Sequence, residues 1–564
     1  MEGNDRKDEK KYSIDTTREI LEAKKKASKG RGLTFRPYVE DIRTRLAILE
    51  EKRAKIKQPA DERLYQRLRS MGKWTARERM EALFDKGFFN EMSIWAESQV
   101  KEMGMDKYRT PAEGVVCGFG EVDGRPVCAY ATDYTVLAGA TGEGHSGKIR
   151  NIYRMAVEMR VPIIHLIDSA GARLQEAAPM LRFGIEMMYF QSIYSGVIPQ
   201  IAIICGGCAA GQAYIPLMTD FVIMTRNAAN MWLGGPRATA AVTTAEDITD
   251  EAIGSADYHM KYTGQCHFVV DDDREAIELT KKLLSYLPSC NDEKAPSVEP
   301  TDDPHRQEEK LLDILPKDPR RSYDMHEIIQ LIVDNGEFLE VQKDFAINAI
   351  VGFCRFDGHV CGIAAGNPAH ISGSMEPDSC DKYTRFISLC DCFNIPLVYL
   401  IDMPALLVGD YWERKGVVRH GTKLLQTTLS ATVPRIGILV RKSYGGTVPI
   451  FSFKPYSIDY LYAWPTGELC PMGPDAAIAI IYDRQLKSFP TPEEGLAFSE
   501  AKKKEYFDMY VDPFVTATNM RLDFFDDIID PRRTREMIIN TLKIARRKIP
   551  LIPIPKRKHA NRPG

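Results

Sequence analysis

Two stretches of the chain repeat one order of apolar and polar positions. Residues 195–211 and 430–446 each begin at a serine, reach a proline, continue as a largely apolar run and end in glycines. Pro199 corresponds to Pro434, 235 positions later (434 − 199). An apolar run between turn residues is typical of a buried strand. The pattern therefore predicts, at two places in the chain, a buried strand followed by a glycine turn.

Two further pairs of segments repeat with nearly the same spacing. Residues 161–168 (VPIIHLID) resemble residues 395–402 (IPLVYLID), 234 positions later (395 − 161). Residues 118–124 and 352–358 share Gly-Phe and Asp-Gly dipeptides at that spacing. Three matches in one order predict an internal duplication whose period is the size of a domain.

Within the first copy, strand-like and helical segments alternate. The pattern predicts, in order, a hairpin over 114–134 with its turn at Asp123, a helix over 146–159, and strands over 162–167 and 200–205. Repeated strand–turn–helix units predict a parallel sheet with helical crossovers. Ligands bind at the carboxyl ends of such strands, and the glycine turns at 206–211 and 445–446 fall at such ends.

Changes in composition divide the chain into five parts. The predicted parts are a charged helical N-terminal extension (1–90), a first domain (91–286), a proline-rich linker (287–322), a second domain (323–548) and a basic tail (549–564). We interpret the extension as a surface helical collar rather than a binding arm, because it is rich in charged residues. The tail is expected to be solvated and disordered.

Composition narrows the class of protein. The chain has 564 residues, more than one core usually supports, with 44% hydrophobic and 27% charged residues. Its net charge of −3 favours neither nucleic acid nor a membrane surface as a partner. The charge-free run at 187–219 is broken by glycines and prolines, so we predict no membrane span. A charged N-terminus and twelve scattered cysteines predict a cytoplasmic protein with reduced thiols.

A glycine run at 142–148 imitates two nucleotide-binding motifs. It has the spacing of a dinucleotide fingerprint and also that of a phosphate loop ending at Lys148. Ile149 stands where a phosphate loop carries its magnesium-binding serine or threonine, so the match is weak. A helix that begins near Ser146 would still offer N–H groups to an anion.

Side chains suited to catalysis are scarce. Cys205 and Cys208 have redox or zinc spacing, but they lie in an apolar strand-turn without a second such pair, so we interpret them as packing residues. The ten histidines show no metal-ligand spacing, and we predict no metal site. Two glycine turns remain. Because backbone N–H groups at such turns stabilise a developing oxyanion, the chain is predicted to handle two carbonyl-type substrates.

Short motifs in both halves are similar to those of one enzyme family. In the second half they are DNGEF (334–338), FAIN (345–348), FNIPL (393–397), RHG (419–421), RKSYGG (441–446), AWPTGE (463–468) and IDPRRTR (529–535). In the first half they are DSAGARLQE (168–176), SGVIPQ (195–200), TDF (219–221) and GGP (234–236). Together they resemble the carboxyltransferase (β) subunits of biotin-dependent acyl-CoA carboxylases over residues 70–548. The resemblance implies an α/β protein with two tandem crotonase-like domains built from β-β-α superhelical units.

The resemblance also implies a division of labour at an active site formed across a dimer interface. The first domain would bind the acyl-CoA, and the second would bind carboxybiotin. The implied oxyanion donors are Ala210 and Gly211 for the thioester enolate, and Gly446 and Thr447 for the biotin ureido oxygen. The implied acyl-CoA contacts are Ala138, Gly139, Ala140, Gly171, Ala172 and Arg173, and the implied carboxybiotin contacts are Ala405, Leu406, Tyr444 and Gly445. In this family the biotin nitrogen takes the α-proton, so no side-chain base is required.

The chain departs from the family pattern at three places. Ala210 replaces a glycine in the first turn, and Ala405 replaces one near the biotin site, so both positions lose the freedom of glycine at positive φ. Pro449 stands where small-chain carboxylases carry an acidic residue at a position that helps to select the acyl group. We therefore expect an acyl group that is larger than propionyl or differently shaped.

The chain carries no biotinylation motif and no ATP-binding carboxylase segment. The resemblance implies that biotin is carried by a partner subunit, that a biotin carboxylase completes the enzyme, and that the chain forms a homohexamer, a trimer of dimers. The direction of transfer stays open between carboxylation of an acyl-CoA and decarboxylation, as in the related decarboxylase α-subunits. Two other hypotheses are a biotin-independent crotonase-type hydratase or isomerase, with Glu176 as the nearby carboxylate, and a non-catalytic CoA-binding scaffold.

Overall fold

The computed structural model of the chain describes Glu19, Glu22 and residues 41–243, 248–318, 321–518 and 524–549. The chain forms two compact units, Met1–Gln58 and Pro59–Gly564. In the first unit, helix α1 (Ile42–Lys57) begins after Asp41, whose side chain accepts hydrogen bonds from the first N–H groups of the helix. The predicted basic tail lies outside the described residues except for Ile549.

The first half of the larger unit is built around an eight-stranded sheet. Its strands are β1 (Asn90–Met92), β2 (Val115–Val122), β3 (Arg125–Thr132), β4 (Ile163–Ser169), β5 (Gln200–Ala209), β6 (Phe221–Thr225), β7 (Asn230–Trp232) and β8 (Phe268–Val270). They lie in the order β1-β2-β3-β4-β5-β6-β8, and β7 pairs with the end of β5. The first three strands pair antiparallel and the others pair parallel. The predicted hairpin turn at Asp123 is confirmed.

The second half repeats this sheet. Its strands are β9 (Leu339–Val341), β10 (Ala349–Phe356), β11 (His359–Gly366), β12 (Leu397–Met403), β13 (Arg435–Tyr444), β14 (Tyr460–Ala463), β15 (Glu468–Cys470) and β16 (Asp527–Ile528). They lie in the order β9-β10-β11-β12-β13-β14-β16, and β15 pairs with the end of β13. The prediction of two tandem α/β domains is confirmed.

Helices cover the sheets and connect the parallel strands. In the first half they are α2 (Glu62–Ser70), α3 (Ala76–Leu83), α4 (Glu143–Met159), α5 (Ala177–Ile193), α6 (Tyr214–Leu217), α7 (Pro236–Val242), α8 (Asp250–Ile253), α9 (Ala256–Tyr258) and α10 (Asp273–Leu284). In the second half they are α11 (Met325–Ile332), α12 (Pro377–Cys392), α13 (Asp410–Arg414), α14 (Val417–Ser430), α15 (Pro474–Ile481), α16 (Asp483–Leu486), α17 (Pro492–Tyr506), α18 (Pro513–Thr518) and α19 (Thr534–Ala545). Within the described residues, none of the helices combines the length and apolar character needed to cross a membrane.

The duplication extends to individual backbone conformations. Residues 137–139 have left-handed φ angles of 50°, 54° and 70°, and residues 371–373 have angles of 40°, 57° and 72°. The two triplets lie 234 positions apart (371 − 137). Only the last residue of each triplet is a glycine, so each half holds two side-chain-bearing residues in a conformation that they normally avoid. The predicted internal repeat is therefore confirmed at the level of single residues.

A bend in the central strand of each sheet shapes the candidate site. Strand β5 pairs first with β6 and then with β7, and its pairing with β4 shifts between Ile167 and Ser169, so Asp168 faces the bend. Strand β13 bends in the same way opposite Asp402. Residues 206–207 therefore belong to the strand. The prediction that the glycine turn starts at residue 206 is wrong, because the bent strand continues to a second partner.

One hydrophobic core runs between the two sheets. Phe221 of the first sheet contacts Phe353 of the second, with ring centroids 6.0 Å apart, and both side chains are buried. Helix α3 adds the buried side chains of Met80 and Leu83 to the same core. The collar interpretation is therefore wrong for α3, which packs as an integral part of the domain.

Candidate active site

The first candidate turn begins where β5 ends. A short 3-10 turn, Ala210–Ala213, follows the strand directly. The leading N–H groups of such a turn have no acceptor within it, so those of Ala210 and Gly211 can serve a ligand. Both residues are exposed, and a Cβ on Gly211 would meet no atom within 4 Å. A carbonyl oxygen can therefore approach this turn from solvent.

The second turn occupies the equivalent place after β13. Gly445 and Ala210 have the same φ of +56°. The Gly445 N–H donates to the Cys470 carbonyl at 3.1 Å, so the donors that can face a ligand start one residue later, at Gly446 and Thr447. Gly446 is exposed, whereas Thr447 is buried. The occupied Gly445 N–H explains why the two predicted donor pairs are displaced by one residue in the repeat.

Ala210 keeps the left-handed backbone that a glycine would adopt without strain. Its φ of +56° brings Cβ close to the neighbouring carbonyl, which costs about 1–2 kcal/mol. The turn geometry survives the replacement of glycine, because the surrounding strand and the following helical turn fix the backbone.

The six predicted acyl-CoA contacts lie on two adjoining loops. The loops are joined by hydrogen bonds from the Ala170 N–H to the Ala138 carbonyl, at 3.0 Å, and from the Thr141 N–H to the Gly171 carbonyl, at 2.8 Å. The Gln212 side chain donates to the Thr141 hydroxyl at 2.8 Å, which ties the loops to the first turn. The structure therefore brings together Ala138, Gly139, Ala140, Gly171, Ala172 and Arg173 beside the first candidate turn.

Gly139 is required where these loops cross the end of β4. A Cβ on Gly139 would lie 2.0 Å from the Asp168 carbonyl oxygen, and its φ is +70°. Any side chain would push the loop away from the strand. The close approach therefore fixes the distance between the loop at 138–140 and the bend.

Arg173 holds the loops from inside. Its guanidinium lies 2.7 Å from Glu113 and 3.0 Å from Glu176, and its Nε donates to the Ala140 carbonyl at 2.9 Å. All three charged side chains are buried, and burial raises the pKa of Glu113. The Arg173 side chain therefore positions the loops, and its contact with an acyl-CoA stays a prediction.

The glycine run at 142–148 forms no anion site. Helix α4 begins at Glu143, whose N–H donates to the Glu176 carboxylate at 2.5 Å. Lys148 is buried and donates to the carbonyls of Ala112 and Val115, at 2.7 and 2.6 Å. The prediction that this helix start could bind an anion is wrong, because a carboxylate of the protein already occupies it.

The predicted biotin residues Ala405 and Leu406 adjoin the second turn. The Met375 N–H donates to the Ala405 carbonyl at 2.8 Å, the counterpart of a bond between the acyl-CoA loops. A Leu406 methyl lies 2.7 Å from the position that a Cβ on Gly446 would take. Leu406 therefore forms an apolar wall against the second turn.

Tyr444 lies at the second turn with its hydroxyl already engaged. The hydroxyl donates to the Glu468 carboxylate. Burial, together with the charge of Glu468, raises the pKa of Tyr444 far above its usual value, and burial also raises the pKa of Glu468. Tyr444 is therefore a neutral wall of the turn at physiological pH. Pro449 lies half-buried in the helical turn that follows, Val448–Ser452.

The cysteines of β5 act in packing, as predicted. Cys205 and Cys208 are buried free thiols, and burial raises the pKa of both. Among the described residues, no group of His, Cys, Asp and Glu side chains is arranged to hold a metal ion.

Known proteins similar to this chain include carboxylase and decarboxylase subunits. The carboxyl transferase domain matches residues 67–561. The chain is 39% identical to the methylmalonyl-CoA decarboxylase subunit alpha of Veillonella parvula, over 89% of this chain and 96% of that protein. It is 39% identical to the propionyl-CoA carboxylase carboxyltransferase subunit of Haloferax mediterranei, over 87% of this chain and 94% of that protein. The crystal structure of transcarboxylase 12S, a hexamer with hydrolysed methylmalonyl-CoA bound, superimposes with a TM-score of 0.87 at 38% identity, covering 92% of this chain and 99% of that one.

Two glycines of the run 142–148 should separate packing from nucleotide binding. A Cβ on Gly142 would lie 2.5 Å from Arg173 and 2.6 Å from Glu176, whereas one on Gly147 would meet nothing within 4 Å. We expect Gly142→Ala to lower the free energy of unfolding by about 1–3 kcal/mol, because it disrupts a buried ion-pair cluster. The control Gly147→Ala should be neutral or stabilising by up to about 1 kcal/mol. Calorimetry measures both, and stabilisation of the wild type by ATP or NAD that both variants lose would contradict the packing interpretation.

Proposed function

The chain belongs to the carboxyl transferase family, and we propose that its two halves divide one carboxyl transfer between an acyl-CoA and biotin. It is a biotin-dependent acyl-CoA carboxyltransferase, which acts on a coenzyme A thioester and uses biotin carried by another subunit. The proposal rests on one observation. Two turns at equivalent positions of the repeat, beginning at Ala210 and Gly445, follow two bent strands with the same φ of +56°, which supports two oxyanion sites.

The first half binds the acyl-CoA in this proposal. The N–H groups of Ala210 and Gly211 donate to the thioester oxygen as it gains negative charge, which lowers the barrier to forming the enolate. The adjoining loops at 138–140 and 171–173 contact the acyl-CoA. Two observations support these roles: the first turn is exposed, and hydrogen bonds hold the loops beside it.

The second half binds biotin. Gly446 and Thr447 donate to the ureido oxygen, Ala405 and Leu406 form one wall, and Tyr444 with Gly445 forms the opposite side. The residues fit a bicyclic, largely apolar group with one strong acceptor, because an apolar wall stands directly beside an exposed glycine turn. Ala405 permits this arrangement, since its carbonyl accepts a hydrogen bond from Met375 at 2.8 Å and keeps the loop closed.

The transfer itself needs little from the side chains. In the carboxylation direction, a carbon–nitrogen bond of carboxybiotin would break and a carbon–carbon bond to the acyl-CoA would form, with biotin supplying the carboxyl group and the nitrogen that receives the α-proton. The protein orients the two partners and stabilises the charge that develops on each carbonyl oxygen, which is commonly the largest catalytic contribution in such sites.

A biotin-independent hydratase or isomerase fits the geometry less well. Such an enzyme needs a carboxylate that faces the substrate, and Glu176 was the candidate. Glu176 is buried, pairs with Arg173 at 3.0 Å and accepts from the Glu143 N–H at 2.5 Å. Because its carboxylate is fully engaged in holding the loops, Glu176 cannot exchange protons with a substrate at the first turn.

The two turns meet across a dimer in our proposal, within a hexamer of the kind described for transcarboxylase 12S. Apolar side chains near the first turn are exposed to solvent, with Leu174 at 85% and Leu233 at 65%. Near the second turn Ile480 and Ile481 of α15 are 65% and 59% exposed. We assign these exposed apolar side chains to the subunit interface of the proposed dimer. A second copy of the chain would cover both patches and bring the first turn of one subunit to the second turn of the other.

Partner subunits complete the enzyme and set the direction of transfer. We assign these roles to a biotin carboxylase and a biotin carrier protein, with a cytoplasmic location that suits twelve free cysteines. Relatives at the same 39% identity carry names for both carboxylation and decarboxylation. The direction therefore follows from the energy source that the partners provide.

Substitutions at the two turns should affect different substrates. Gly211→Val and Gly446→Val each place a side chain where a carbonyl oxygen must approach, so each should lower kcat by about 10²-fold. Gly211→Val should raise the KM for the acyl-CoA alone, and Gly446→Val should raise the KM for biotin alone. The assay is loss of the carboxyl group from a carboxylated acyl-CoA with free biotin. Gly495→Ala, where a Cβ makes only ordinary contacts at 3.8 Å, is the control. Unchanged turnover, or an effect of both variants on one substrate, contradicts the division of labour.

Pro449 should select a larger acyl group. It lies two residues beyond the Thr447 donor and carries no acidic side chain. We expect kcat/KM to rise from methylmalonyl-CoA to longer carboxylated acyl-CoAs, and Pro449→Asp to shift the preference toward methylmalonyl-CoA by about tenfold. Competition between two acyl-CoAs, followed by mass spectrometry, measures the ratio. If the wild type and the variant use the two acyl-CoAs in the same ratio, Pro449 does not select the substrate.

A further inference from the structure

In the second half, the bent strand β13 supplies the cation that pairs with the buried side chain of Asp402, which lies on the neighbouring strand β12. Arg441 of β13 donates from Nε to Asp402 at 2.9 Å, and the Tyr323 hydroxyl donates to the same oxygen at 2.9 Å. The Lys442 N–H donates to the other oxygen at 3.2 Å. The Asp402 carboxylate is therefore compensated by residues of its own domain.

In the first half, the strand offers no such cation. The residue equivalent to Arg441 is Gly206, 235 positions earlier (441 − 206). A Cβ on Gly206 would lie 2.0 Å from Oδ1 of Asp168, so the carboxylate excludes every side chain at that position. Asp168 Oδ1 is buried without a hydrogen-bond partner in the part of the chain that the structure describes. The compensating charge has to come from another element.

Two cations of the segment that precedes the first sheet supply this charge. Lys73 Nζ lies 2.6 Å from Oδ2 of Asp168, and their side chains are 3% and 0% exposed. Arg79 of α3 lies 3.5 Å from the same oxygen and also donates to the Cys205 carbonyl, at the bend of β5, at 3.4 Å. Asp273 of α10 fixes Arg79 through two hydrogen bonds, at 2.9 and 3.2 Å. The cluster joins α3, α10 and the neighbouring strands β4 and β5.

We propose that Lys73 and Arg79 are positioning residues for the first oxyanion turn, acting through Asp168. The inference rests on the proposed function of the turn at 210–211. Removal of a cation leaves a buried carboxylate uncompensated, so the bend of β5 relaxes and the N–H groups that follow it are displaced. A displacement of about 1 Å at a reacting centre lowers the rate about 10²-fold. The N-terminal segment is thus part of the machinery of the acyl-CoA half, whereas the biotin half carries its own cation.

Hydrogen–deuterium exchange on the full-length protein tests the positioning claim without an activity assay. Lys73→Met should raise exchange about tenfold or more at residues 206–213 and leave residues 441–448 unchanged, because the opening is local. Arg441→Met should do the reverse. Lys86→Met changes an exposed lysine of the same N-terminal segment and should alter neither. No rise at residues 206–213 in Lys73→Met, or an equal rise in both segments, would overturn the inference.

A double variant separates positioning from stability. Lys73→Met should lower kcat about 10²-fold, lower the Tm and leave the KM for biotin unchanged. Lys73→Met/Asp168→Asn removes both buried charges, so the Tm should recover while kcat stays low. Recovery of kcat together with the Tm would show a purely structural role and overturn the inference. A wild type that shows no biotin-dependent transfer overturns the proposed function instead, and the exchange experiment then decides the positioning claim by itself.

Discussion

A buried aspartate at the bend of a central strand is the constraint on which each half of the protein depends. Asp168 and Asp402 are both fully buried. An ion removed from water in this way destabilises a fold by several kcal/mol unless a cation and hydrogen bonds compensate it. Once compensated, the carboxylate holds the bend, and the bend carries the end of the strand to a second partner strand. The turn that follows lies at the end of the strand, and its exposed residues, Ala210 and Gly211 in the first half and Gly446 in the second, are the basis of the proposed chemistry.

The two turns of the duplicated fold have similar backbones but different side chains around them. Leu406 stands against the second turn, whereas its counterpart in the repeat, 234 positions earlier (406 − 172), is the small and exposed Ala172. The occupied N–H of Gly445 moves the second pair of donors forward by one residue. The second turn is therefore bordered by an apolar side chain, which suits the bicyclic ring of the proposed biotin ligand. The first turn is more open, which suits the extended thioester of the proposed acyl-CoA.

The features that could be predicted from the sequence are those that depend on a local pattern of residues. The repeat, the hairpin at Asp123 and the buried strands follow from alternation and turn residues, which neighbouring positions determine. Strand β5 continues through Gly206 to pair with β7, and Asp168 lies close to Gly206; both are contacts between distant segments, which a glycine pattern does not reveal. The cation for Asp168 comes from Lys73, 95 positions earlier (168 − 73) in a segment rich in solvated charges. Only the missing counterpart of Arg441 at residue 206 could have indicated that a cation was needed from elsewhere.

Mixing two inactive variants tests most directly whether the two halves of the site come from different subunits. Gly211→Val and Gly446→Val, carrying different affinity tags, are co-expressed, and the mixed dimers contain one site with both turns intact. Random mixing should restore about one quarter of the wild-type transfer, all of it in complexes that carry both tags. If the mixture stays as inactive as each variant alone although both tags are recovered in one complex, the two turns act within a single subunit, which contradicts a site shared between subunits.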